Sequence, residues 1–137
     1  MKKIISVVLS VVLLLSFNLT AFARACNHLS GYSVTVTPLG SGEIRVVVSV
    51  FGTHSQMTNI GFPSLAVYER NNSSSSWGIK HSSGPHYNPN TPAGSHTYIF
   101  IYQGVAGRQY YAHASFLARD ANGSGSKQTS SPIVTAS

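Results

Sequence analysis

The chain has 137 residues, 42% hydrophobic and only 9% charged, with nine Lys or Arg against three Asp or Glu for a formal charge of +6. A single cysteine excludes a disulfide framework within the chain, and three acids leave few carboxylate pairs for acid and base chemistry. The basic residues are scattered singly instead of clustering into a stripe, so the charge argues against a nucleic-acid partner.

Residues 1–23 have the three-part layout of a secretory signal. Lys2 and Lys3 come first, an apolar run from Ile4 to Leu15 follows, and Ala21-Phe22-Ala23 precedes the expected cut. The run falls short of the about 20 apolar residues that span a bilayer, and no second such stretch follows. The mature chain is therefore expected to be secreted and to have no transmembrane segment. Removing 23 of 137 residues leaves 114, the size of one domain, so residues 24–137 are expected to form a single unit. Losing Lys2 and Lys3 lowers the charge from +6 to +4. Cys26 lies just past the cut. Ala23-Arg24-Ala25-Cys26 is similar to the lipidation box of bacterial lipoproteins, although Arg24 departs from its small-residue pattern. The thiol is open to lipidation, to pairing between chains, or to remaining free.

Period-two alternation recurs along the mature chain and 3.6-residue periodicity does not, which predicts an all-β fold. In residues 32–37, Val34 and Val36 alternate with Ser33, Thr35 and Thr37. Gly40-Ser41-Gly42 turns the chain into residues 43–51, where Ile44, Val46, Val48 and Val50 form one face. Val47 and Phe51 on the other face suggest a strand covered on both sides. A polar connection holding His54 and Asn59 leads to a third strand at Leu65-Ala66-Val67-Tyr68. Pro63 stands at its entrance, where a missing N–H does least harm.

Residues 71–94 are rich in Ser, Asn, Gly and Pro and read mostly as loop, with a short edge strand over 77–81. Residues 96–102 and 109–118 alternate strongly, the first with Tyr98, Phe100 and Tyr102, the second with Tyr110, Ala112, Ala114, Phe116 and Ala118. An Asn122-Gly123 turn leads into a last strand over about 127–135, which Pro132 places at an edge. About seven short strands in a domain of this size predict a two-sheet sandwich, since each half-apolar sheet must bury its face.

Val105-Ala106-Gly107-Arg108-Gln109-Tyr110-Tyr111-Ala112-His113-Ala114 resembles the fibronectin type III pattern, in which a glycine-containing turn precedes a tyrosine that opens the sixth strand. Asp120-Ala121-Asn122-Gly123-Ser124-Gly125 is similar to that family's loop into the seventh strand. The resemblance implies an immunoglobulin-like or fibronectin type III-like two-sheet sandwich. It also implies that the Tyr110 hydroxyl bonds back to nearby backbone and locks the corner.

Chemical constellations are sparse. Glu69 and Asp120 are expected at opposite ends of neighbouring strands, too far apart to flank one bond. No Gly-x-Ser-x-Gly elbow accompanies the many serines. His81, His86 and His96 invite a zinc reading, but their spacing fits no common framework and no cysteine or acid lies near them. Asp120-x-Asn122-x-Ser124-Gly125 matches the first half of a calcium loop, whose closing Glu is replaced by Ser131. Neither a metal nor another cofactor is expected, nor is an enzyme. Trp77, the only tryptophan, sits in a polar loop beside Lys80, His81, His86 and Tyr87. It can fold over the sheet as a lid on the core, or join those four residues in a binding platform for sugars or partner side chains. The function expected is an extracellular binding or adhesion module for a protein or glycan outside the cell or in the envelope. A secreted antimicrobial or toxin-like protein is the alternative suggested by small size and positive charge.

Overall fold

The computed structural model describes residues 28–137, so the expected signal segment and Cys26 lie outside the described residues. Within them the chain is all-β and forms two antiparallel sheets.

The first sheet has the order β1-β2-β7, with β1 over Leu29–Gly40, β2 over Glu43–Gly52 and β7 over Ser95–Gln103. Ser41 and Gly42 form the two-residue β1–β2 loop with φ of 53° and 81°, the left-handed pair that matches strand twist in tight hairpins. Alternation then sends Val34, Val36, Ile44, Val46, Val48 and Val50 inward.

The second sheet is built around β8, Gln109–Asp120. One edge of β8 takes β3 (Asn59–Phe62) and β4 (Leu65–Arg70) end to end, while the other takes β9 (Gly123–Ser130) and β10 (Val134–Thr135). Outside β4 and β3 lie β5 (Gly78–Ser83) and β6 (His86–Tyr87). Between β3 and β4 the register slips by one residue, from Gly61 opposite Leu117 to Leu65 opposite Ala114. Ser115 spans this slip, its hydroxyl accepting the Ser64 N–H at 2.9 Å and its own N–H donating to Ser64 O at 3.0 Å.

Several sequence expectations are corrected here. Residues 59–62, expected as connection, form β3, because Ile60 and Phe62 reach the core while Gly61 lets β6 approach. A Cβ on Gly61 would lie 2.2 Å from His86 O. Residues 71–94 are mostly loop as expected, but the edge strand expected over 77–81 runs over Gly78–Ser83 as β5, leaving Trp77 in the loop before it, and a second short strand, β6, follows. The last strand begins at Gly123, not near 127, because Ala121 and Asn122 alone make the turn. It breaks around Pro132 before resuming as β10.

The core lies between the sheets. Tyr110, Phe116, Phe62, Ile60, Leu65, Val67 and Met57 are fully buried opposite the β1 and β2 valines and Ile44. Each such aliphatic or aromatic side chain contributes about 1.5–3 kcal/mol. On the inner face of β8 the small Ala112, Ala114 and Ala118 stand beside the bulky Tyr110 and Phe116, and all five are fully buried.

Candidate functional site

The turn between β7 and β8 is held by Tyr110. Its hydroxyl accepts the Val105 N–H at 2.7 Å, as the resemblance implied, and donates to Glu69 Oε2 at 2.6 Å. Gly104 makes room for the ring, since a Cβ there would stand 2.7 Å from the Tyr110 hydroxyl. Glu69 is the inward-facing residue near the end of β4, only 7% exposed. Its Oε1 accepts from Arg108 Nη1 at 2.8 Å and has Lys80 Nζ at 3.8 Å. Burial by itself would raise the Glu69 pKa. The Tyr110 hydroxyl, Arg108 and Lys80 outweigh it and hold the carboxyl below its usual range. Burial, reinforced by the bond to Glu69, pushes Tyr110 up to about 12.

A cleft of about 400 Å³ opens beside this network, lined by Glu69, Arg70, Ser75, Ser76, Lys80 and Arg108 among others. Asn72 holds the lining Ser75, its Oδ1 accepting the Ser74 N–H at 2.9 Å and the Ser75 hydroxyl at 3.2 Å. Arg70 belongs to the outer face of β4, where Nε donates to Gln109 Oε1 at 2.7 Å and the guanidinium lies 4.3 Å from the centre of the Trp77 ring. Trp77 meets Tyr111 edge to face at 4.6 Å, and Tyr111 stacks on Tyr68 at 4.7 Å. The half-buried Trp77 thus packs on outward-facing aromatics and does not lid the core. Three cations share the cleft with one carboxylate, which leaves a local positive excess.

Of the five residues singled out from sequence, the structure brings Trp77 and Lys80 to this cleft and its rim. His81, His86 and Tyr87 turn elsewhere. His81 lies 5.3 Å from the Phe100 ring and 6.2 Å from Tyr102, while His86 stacks on Tyr98 at 4.1 Å and meets the Ser83 hydroxyl at 3.0 Å. Tyr87 pairs with Gly61 in β6. His96 stacks on Phe62 at 5.4 Å, and burial followed by nearby His86 lowers its pKa. The three histidines of the zinc reading are therefore spread along aromatic neighbours.

A second cluster had no signal in the sequence. At the far end of β8, Asp120 Oδ1 meets His28 Nε2 at 3.1 Å and accepts the Asn122 N–H at 2.8 Å, while Oδ2 meets His54 Nε2 at 2.7 Å. The Gln56 N–H donates to His54 Nδ1 at 3.0 Å, which places the proton of the neutral ring on Nε2, aimed at the carboxylate. His54, the Asn122 amide and His28 lower the Asp120 pKa, against a smaller opposing effect of burial. Both carboxylate oxygens that a calcium loop would use are thus engaged within the protein. No group of three His, Cys, Asp or Glu among the described residues could hold a metal ion, and no helix there is long and apolar enough to cross a membrane.

In comparisons with known proteins, no protein-family model and no curated protein matches the chain.

Proposed function

We propose that the chain is exported through residues 1–23 and acts outside the cell as a binding or adhesion module on an immunoglobulin-like, fibronectin type III-like sandwich. Three features support that fold type. If β3 with β4, β5 with β6, and β9 with β10 are each counted as one interrupted strand, seven strands divide three and four between the sheets. The fourth lies beside the third, not beside the fifth as in constant-type immunoglobulin domains, which favours the fibronectin type III-like side of the resemblance. Tyr110 also makes the corner bond.

The observation that carries the binding reading is Trp77, held by Arg70 and Tyr111 at the rim of a cleft with three cations and one carboxylate. An aromatic surface beside unmatched positive charge suits a ligand that has a ring or apolar face and an anionic group, such as an acidic glycan or an acidic protein segment. Trp77 emission of the exported protein reports on this site directly. Titration with acidic and neutral glycans and with envelope fractions should show saturable, salt-sensitive changes for the acidic ligands, lost in Lys80→Glu. If none of them changes the emission or is retained by immobilised protein, the reading fails. Protein retained inside the cell with residues 1–23 still attached, and none in the envelope or culture medium, would refute the export step.

A further inference from the structure

Each sheet edge of a secreted β-protein needs a device against strand pairing, because its outward N–H and C=O groups can accept another chain. Three of the four edges here have one. β1 carries Pro38 and two register irregularities. The β5 and β6 edge has a bulge at Lys80 and is broken at Gly84-Pro85. The β9 and β10 edge carries Lys127 and is interrupted around Pro132.

Among the described residues the fourth edge, β7, has only one cover, at its first residue, where Asn88 Nδ2 donates to Ser95 O at 3.0 Å. Its nine residues include no charged side chain, glycine or proline, and its pairing with β2 runs unbroken from Ser95 opposite Phe51 to Gln103 opposite Glu43. On the outer face Ile99 and Ile101 are 57% and 59% exposed, beside Val47 of β2.

We propose that β7 is a homodimer interface, pairing antiparallel with β7 of a second copy about a two-fold axis at Ile99 and extending the sheet to six strands. The strand is complementary to itself in that register. Ile99 faces the partner's Ile99 and Ile101 faces the partner's Thr97, so β-branched side chains pair on the outer face. Phe100 faces the partner's Tyr98, so aromatics pair on the inner one. Both kinds of cross-strand pair are favourable, and with no charge on the strand nothing in it selects a different partner. Pairing of β7 with β1 of another copy would instead build open filaments, and Pro38 and the irregularities of β1 oppose it. The pairing rests on β7 alone and does not need the Trp77 cleft to be a binding site.

Sedimentation of the exported protein carrying Cys26→Ser, which removes thiol pairing, tests the interface between about 1 µM and about 1 mM. A monomer–dimer equilibrium is expected, weakened at least about tenfold by Ile99→Lys. Ile99 is exposed, so this variant keeps the fold, and an unchanged circular dichroism spectrum checks it. In the same background, Ile99→Cys should give disulfide-linked dimers on oxidation, because residues opposite one another on antiparallel strands have Cα atoms about 4.5–5.5 Å apart, within the range a disulfide spans, while Thr35→Cys on β1 should not. Monomer at every concentration, dimer indifferent to Ile99→Lys, or disulfide-linked dimers formed by Thr35→Cys would each overturn the proposal.

Discussion

Replacing Tyr110 with Phe keeps the ring that fills the β7–β8 turn and removes only its hydroxyl, so it isolates the network joining β4, the turn and β8. Two hydrogen bonds are lost, one donated to Glu69 Oε2 at 2.6 Å and one accepted from the Val105 N–H at 2.7 Å. A bond to a charged group contributes about 1.5–3 kcal/mol and a neutral one about 1 kcal/mol. Arg108 still holds Oε1 at 2.8 Å, which limits the loss. The variant should be destabilised by about 3 kcal/mol at neutral pH, or roughly 10–15 °C in Tm for a domain of this size.

The loss must also depend on pH. The folded Glu69 pKa lies below its unfolded value, so its contribution is present above the unfolded pKa and disappears as pH falls through the folded one. Once Glu69 is protonated in both states, the charged bond is gone, and the gap between wild type and Tyr110→Phe should narrow to about 1 kcal/mol. At the alkaline end the sign reverses. Tyr110 titrates at about 12 in the fold, so the unfolded chain releases the proton first and stability falls above pH about 10, by about 1.4 kcal/mol per unit, until the folded value is reached. Tyr110→Phe lacks that part of the alkaline loss. Urea unfolding followed by circular dichroism from pH 3 to pH 12 measures both limbs. A loss below about 0.5 kcal/mol at pH 7, or one that does not change with pH, would refute the network as drawn.

Two further predictions concern the opposite end of β8 and its edge. Asp120→Asn should release the start of β1 and the 53–56 loop, seen as faster amide exchange at residues 28–30 and 53–56 with little change in β4. Because the folded Asp120 pKa is lowered, wild-type stability also declines as pH falls through it, and the variant should lack that part of the decline. Gly61→Ala places a Cβ 2.2 Å from a backbone oxygen that no side-chain rotation can move, and should lower the urea midpoint by about 1 M or more.

The elements legible in sequence are those whose signal is local. Valine and isoleucine at alternate positions give β1 and β2, alternating aromatics and alanines give β7 and β8, and Tyr110 after a glycine turn gives the corner. What escapes is set by distant partners. β3 and β6 are too short for a period to show, and they form because Gly61 and the Ser64–Ser115 bonds fasten them to strands far along the chain. Trp77 could be a lid or a platform until Arg70 and Tyr111 are placed around it. The Asp120 cluster joins residues 66 and 92 positions apart, with neither histidine in a motif. The count of histidines was visible, but nothing in the sequence says that two of them share one carboxylate.

The scarcity of acids has a structural counterpart. Glu69 and Asp120 sit near opposite ends of β8, and each binds groups from separate parts of the chain: Tyr110, Arg108 and Lys80 at one end, His28, His54 and the Asn122 amide at the other. Glu43, the third acid, lies at the first hairpin with no ion pair among the described residues. All three neutralising substitutions raise the net charge by one, so a purely long-range charge effect would make them similar. A network effect separates them. Glu43→Gln should change stability by no more than about 0.5 kcal/mol, the range of ordinary surface substitutions, while Glu69→Gln should cost about 2 kcal/mol by weakening bonds to Arg108 and Tyr110. Matched losses at Glu43 and Glu69 would mean that bulk charge, and not the shared carboxylate, holds that end of β8.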